Sequence, residues 1–217
     1  MKNIPRIFIG DNIKDGIQIP LSRETMHYLT RVMRTRECLV FGGGDEYAAT
    51  VSDDDKSLII GNKTPHTDSS NDITLMFSPI KHTDDLINMA TQMGVARFLP
   101  VITSRTVAHH VNWERMRKIA IESAEQSNRN SVPEILEPVK FNDLDLSEIV
   151  FADERAAYGA TTSNDFETTK ILIGPEGGFS DEEFSALDVS GARGIGLGKT
   201  ILRAETAAIV ALAKIIK

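Results

Sequence analysis

Up to residue 70 the hydrophobic positions come in short runs, RIFI, CLVFGG, EYAATVS and SLIIGN, divided by turn-forming stretches such as GGGDE and SDDDKS. Short apolar runs punctuated by glycine and aspartate predict the strands of a small barrel or sandwich. One helix interrupts them. Ser22 stands as its N-cap, Met26, Leu29, Val32 and Met33 recur at helical spacing to form its inner stripe, and Arg23, Arg31 and Arg34 lie on its other side. The segment KTPHTDSSND, residues 63 to 72, is polar and contains proline, and it divides the chain into expected domains 1–70 and 71–217.

Beyond the boundary, strands alternate with helices. ITLMFSP reads as a strand, TDDLINMATQMG as a helix stopped at Gly94, ARFLPVIT as a strand and NWERMRKIAIESAEQS as a long helix capped by Asn112. EIVFAD and KILIGPEGG follow as strands, then a helix DEEFSAL, a short strand RGIGLG and a final helix from about Leu202. Nearly continuous apolar strands between helices predict a mainly parallel sheet covered on both faces, with ligands beyond the C-terminal strand ends. Two glycine-rich loops, Gly174 to Gly178 and the one containing Gly198, follow strands directly and fall at that edge. Ser180 and Glu183 have capping-box spacing, so the first of these loops runs straight into a helix.

Composition narrows the classes. The chain has 217 residues and a net charge of -7, with 7 basic against 13 acidic groups after residue 140 and near balance before it. A local basic face therefore remains possible only in the first two thirds. No apolar run reaches the length of a membrane span and no secretory signal is visible, which predicts a cytoplasmic protein. Cys38 is the single cysteine, read as a small core residue. The aspartates at 53 to 55 predict a solvated turn, and His109 and His110 lack further ligands nearby, so no metal is expected.

GIGLGKTILRAETAA, residues 194 to 208, contains the Gly-Lys-Thr that ends a phosphate loop. Such a loop needs glycine five positions before Gly198, where Arg193 stands instead, and it normally follows the first strand of its domain. Phosphate binding is therefore rejected. The helix after it is apolar on most faces, which predicts the sheet on one side and a partner subunit on the other. Arg203 and Glu205 sit at its N-terminal end, where the macrodipole suits the glutamate and disfavours the arginine.

ILIGPEGGFSDEE (171 to 183) and LGKTILRAETAA (197 to 208) resemble the two signature loops of the RsmE family, which belongs to the SPOUT class of methyltransferases and methylates N3 of a uridine in 16S ribosomal RNA. PRIFI near the start, HYLTRVMR (27 to 34), MGVARFLPVITSRTV (93 to 107) and EQSNRNSVPEI (125 to 135) extend the similarity over most of the chain. The resemblance implies an α/β protein with an N-terminal PUA-like β-barrel and a C-terminal SPOUT domain holding a deep trefoil knot. It also implies a homodimer acting on 16S rRNA in the small ribosomal subunit. S-adenosylmethionine would be held by Ala152, by Gly174, Glu176, Gly177 and Gly178, and by Leu197, Gly198, Ile201, Leu202 and Arg203. The glycines suit a ligand gripped by backbone groups, and Ile201 and Leu202 suit an adenine ring. Arg203 is the expected catalytic cation; Glu205 is a weaker candidate for the base, Glu176 could equally serve, and either glutamate could instead orient Arg203 or bind the methionine amino group.

Some positions depart from the family pattern. TDDLINMATQMGV carries Asp84 and Asp85 where lysines are usual, TREC replaces a Gly-Asp, and Ala204 replaces a threonine. RNA contacts are expected first of Arg34, Arg105 and Arg129, which lie in matching motifs, ahead of Arg31, Lys81, Arg97, Arg115 and Arg117. Trp113 reads as packing. A second reading, an RNA-binding protein on a degenerate SPOUT scaffold, fits the acidic balance, whereas intact GPEGG and ILRAET speak for an enzyme.

Overall fold

The computed structural model describes residues 4–68, 71–108 and 110–216, so that His109 and the expected boundary at residue 70 fall outside the described residues. The chain forms two compact units, Met1–Ser69 with Ile121–Val132, and Ser70–Ala120 with Pro133–Lys217.

The first unit contains β1 (Arg6–Phe8), β2 (Gln18–Pro20), α1 (Arg23–His27), β3 (Glu37–Gly42), β4 (Asp45–Val51) and β5 (Ser57–Lys63). These strands form one five-stranded sheet in the order β1-β3-β4-β5-β2, with β1 parallel to β3 and the other pairs antiparallel. Gly43 and Gly44 both have positive φ, as a two-residue hairpin turn requires, and they close β3 onto β4. Alternation along β4 and β5 delivers Tyr47, Ala49, Val51, Leu58 and Ile60 to a core shared with Ile7, Leu29, Cys38 and Val40.

Ser22 caps α1 as expected, accepting the Thr25 N–H at 3.0 Å. The helix then widens into a π turn, Tyr28–Val32, in which Met33 N–H reaches the Tyr28 carbonyl at 2.9 Å. The wider turn shifts the phase of the stripe. Leu29 is buried and Met26 packs on the core, but Val32, expected inside, is 59% exposed.

Arg6 joins the 121–132 segment to the strands. It donates to the carbonyls of Ala124 and Arg129 and to Asn130 Oδ1, and pairs with Glu46 at 2.8 Å, with both side chains buried. Buried charges need such partners, because an unpaired guanidinium would lose its hydration for nothing.

The second unit holds β6 (Thr74–Phe77), α2 (Thr83–Gln92), β7 (Arg97–Ile102), the first part of α3 (Trp113–Gln126), β8 (Glu134–Ile135), β9 (Val139–Lys140), β10 (Val150–Ala152), β11 (Lys170–Ile173), α4 (Asp181–Ser190), β12 (Arg193–Ile195) and α5 (Ala204–Ile215). Its seven-stranded sheet runs β12-β10-β11-β6-β7-β8, with β9 also on β7, and every pairing is parallel. All residues of β6 and β10 are buried, as expected of strands covered on both faces. Asn112 Oδ1 accepts the Arg115 N–H at 3.0 Å, and Gly94, with φ +89°, lies just past α2. Ser180 and Glu183 form the capping box at the start of α4. The short strands β2, β8 and β9 carry no alternation strong enough to be read from sequence.

The chain takes an unusual route between β10 and β11. After β10, Ser163 pairs in parallel with Ile195 of β12, on the side of β12 away from β10. It then returns to place β11 between β10 and β6.

Candidate active site

Three loops leave the C-terminal ends of adjacent strands β12, β10 and β11 and surround a cavity of about 470 Å³. That volume lies within the range of small-ligand sites. Ala152, Gly174, Glu176, Gly177, Gly178, Leu197, Gly198, Ile201, Leu202 and Arg203 all line it. Residues not singled out from sequence line it too, among them Asp153, Glu154, Tyr158 and Thr200. Glu205 is not among the lining residues; it lies in the first turn of α5, while Arg203 is that helix's N-cap, extended at φ -63° and exposed.

The loop after β11 is shaped by its own surroundings as much as by space for a ligand. Gly178 N–H closes a turn on the Pro175 carbonyl at 2.9 Å, with Glu176 at its tip. Phe179 then buries its ring against Phe141, Phe151 and Phe184. A Cβ at 174 would stand 3.0 Å from the Phe179 ring, and one at 178, where φ is +68°, would collide with Glu154 Oε1. Glycine at these two positions is therefore demanded inside the protein. At Gly198 a Cβ would meet nothing within 4 Å, so that backbone faces open space.

The buried Glu183 carboxylate ties the loops together. One oxygen accepts the Ser180 N–H and the other the Ser104 N–H, each at 2.8 Å. Arg105 next to it donates to the carbonyls of Gly177 at 3.0 Å and Phe179 at 2.9 Å. Under the cavity, Asp153 is buried and takes Arg155 through both oxygens, and Asp188 takes the same guanidinium from the other side. Arg155 also lies 4.1 Å over the Phe184 ring. These hydrogen bonds push the Arg155 pKa upward and hold Asp188 below the usual carboxylate range. Burial, with a contribution from nearby Asp153, raises the pKa of the half-buried Glu154.

The three arginines expected on an RNA face are not brought together in one unit. Arg34 and Arg129 belong to the first, Arg105 to the second. Arg34 is exposed with φ 52°, whereas Arg129 is partly buried, donates to Ser131 Oγ at 3.1 Å and has its pKa lowered by that burial. Of the lower-ranked cations, Arg97 pairs with Asp72 at 2.7 Å and Arg115 with Asp84 at 3.1 Å. Ligand-type atoms of His82, Asp84 and Asp85 lie within 4.8 Å of one another, and none of the three lines the cavity. Among the described residues no helix is long and apolar enough to cross a membrane.

Comparison with known proteins places the class first: residues 67–216 match the RNA methyltransferase domain family. The chain is 33% identical to the ribosomal RNA small subunit methyltransferase E of Rickettsia conorii, over 97% of this chain and 94% of that protein, and 30% identical to the one from Synechocystis, over 91% and 72%. It belongs to the ribosomal RNA small subunit methyltransferase E family, the RsmE family. Among solved structures, the Neisseria gonorrhoeae family member bound to S-adenosyl methionine superposes with a TM-score of 0.83 at 27% identity, covering 97% of this chain and 96% of that one. The mixed α/β fold is thus similar to that of a solved RsmE structure.

Proposed function

We propose that this chain methylates N3 of a uridine in 16S rRNA, using S-adenosylmethionine held in the three-loop cavity. The observation that carries this reading is the convergence of ten cofactor candidates, drawn from three separate sequence motifs, around one cavity. The site suits such a cofactor: backbone is open at Gly198, and Leu197, Ile201 and Leu202 offer apolar surface beside polar loop groups. Bound there, the cofactor supplies an electrophilic methyl group on a sulfonium.

The chain's own residues must then handle an imide nitrogen that is protonated at neutral pH. Its proton must leave, and negative charge spreads to the two flanking carbonyl oxygens. Arg203, the N-cap of α5 and part of the cavity lining, donates to those oxygens through a guanidinium that carries several donors. Glu176, at the turn tip and lining the cavity, is better placed to accept the proton than Glu205, which stands one step outside the lining.

The first unit serves in this reading as the PUA-like RNA-binding barrel, with Arg34 and Arg129 toward the phosphates. The second carries the knot: β12 stands between β10 and Ser163 of the preceding loop, an arrangement that supports threading of the chain end through that loop. Half-buried Ile209, Val210 and Ile215 on α5, with Ile216 just past its end and exposed Tyr158 and Ile201 lining the cavity, support a homodimer across this face. The setting is the cytoplasm, where small subunits assemble.

The test uses purified protein, S-adenosylmethionine and small ribosomal subunits lacking the modification, with 16S rRNA read by mass spectrometry. One added methyl on a uridine base is expected. Binding of rRNA without any transfer would favour the RNA-binding reading instead.

A further inference from the structure

Residues Gly177 to Phe179 of the loop after β11 are gripped from two other loops. From the segment after β7, Arg105 Nη1 holds the carbonyls of Gly177 and Phe179. From the segment after β10, the Glu154 carboxyl packs directly on Gly178. Phe179 thus has its carbonyl taken by Arg105, while its ring is locked among three phenylalanines. Glu154 and the glycines also line the cavity, so anything that moves this grip moves the cavity wall.

We propose that Arg105 and Glu154 are a pair of positioning residues that hold Gly177–Phe179 in the shape that admits S-adenosylmethionine, and that Arg105 serves this pocket rather than RNA phosphates. The proposal rests on the methyltransferase reading above. The geometry explains the choice of residues. A guanidinium can bridge two carbonyls that point the same way, which a lysine ammonium does less rigidly. A carboxyl oxygen against Gly178 fills the space that a side chain there would need. The charged groups around Glu154 are Asp153, which disfavours its ionised form, and Arg105, which favours it. Burial raises its pKa, and an amide of the same shape can take its place against Gly178.

The test measures S-adenosylmethionine binding by calorimetry and rRNA binding across a salt series, on the full chain. Arg105→Ala and Glu154→Ala are each expected to weaken cofactor binding about tenfold, for Arg105 the size of losing its hydrogen bonds to the loop. The double variant should fall little further, because both residues act on the same backbone. Glu154→Gln should restore near wild-type affinity, and Arg105→Lys should restore it in part; saturating cofactor should recover most of the turnover rate in every variant. Thermal melts show which variants stay folded, and if Arg105→Ala does not, the Glu154 pair decides. Unchanged cofactor affinity in Arg105→Ala, or a salt slope reduced by about 0.7 to 0.9 as for one lost phosphate contact, overturns the proposal. If wild-type protein binds no cofactor, the methyltransferase reading falls, and this one with it; if wild type binds and the variants bind equally well, only this one falls.

Discussion

Arg155 joins Asp153 and Asp188 through paired hydrogen bonds of 2.8–2.9 Å, with its guanidinium stacked on Phe184. Asp153 directly follows β10 and is almost fully buried, and Arg155 is the cation paired with it. Arg155→Ala should therefore destabilise the second unit by about 2 kcal/mol, less than a fully buried pair because the arginine is partly exposed. Asp188→Ala should cost well under 1 kcal/mol, roughly the worth of a surface pair. Chemical denaturation of the two variants checks the order; equal losses would contradict it.

The two adjacent glycines of the loop after β11 should respond differently to alanine. At 177 a Cβ would stand 3.6 Å from the nearest atom, an ordinary contact, whereas at 178 it would meet Glu154 with φ at +68°. Gly177→Ala should keep the wild-type melting temperature, and Gly178→Ala should lose roughly 1–3 kcal/mol from backbone strain and displaced side chains. Differential scanning calorimetry reads both directly.

Arg203→Ala should remove methyl transfer while cofactor binding survives. Loss of one preorganised donor typically slows a reaction about 10²- to 10³-fold. Single-turnover kinetics beside calorimetry separates the two effects, and full activity in the variant would exclude Arg203 from the chemistry.

Burial pushes the Cys38 thiol pKa up to about 12. The thiolate is the reactive form, so at pH 8 almost none is present in the folded protein. A raised acid pKa favours the folded state at lower pH, and this contribution fades only as pH rises toward 12, beyond ordinary conditions. Native protein should resist a disulfide reagent at pH 8, and denatured protein should react at once. Rapid labelling of the native form would mean that the first core opens readily.

The sequence by itself determined a good deal. Its apolar runs marked the longer strands of both sheets and the long helices, though not β2, β8 or β9, because burial on two faces or one stripe leaves a repeating mark. The caps at Ser22, Asn112 and Ser180 were legible because a cap needs one residue type at one position. The cofactor candidates were legible because they sit in contiguous motifs at strand ends. What could not be read are relations between distant positions. Arg6 looked like part of a strand, yet it takes partners more than a hundred residues away. Arg105 stood out only as a possible RNA contact and Glu154 not at all, since only the fold brings both to Gly177–Phe179. Val32 left its stripe because a π turn changes the phase, which no periodicity announces. Local patterning fixes which residues seek burial; only the closed tertiary structure decides which buried polar group meets which, because each hydrogen bond needs its partner within about 3 Å.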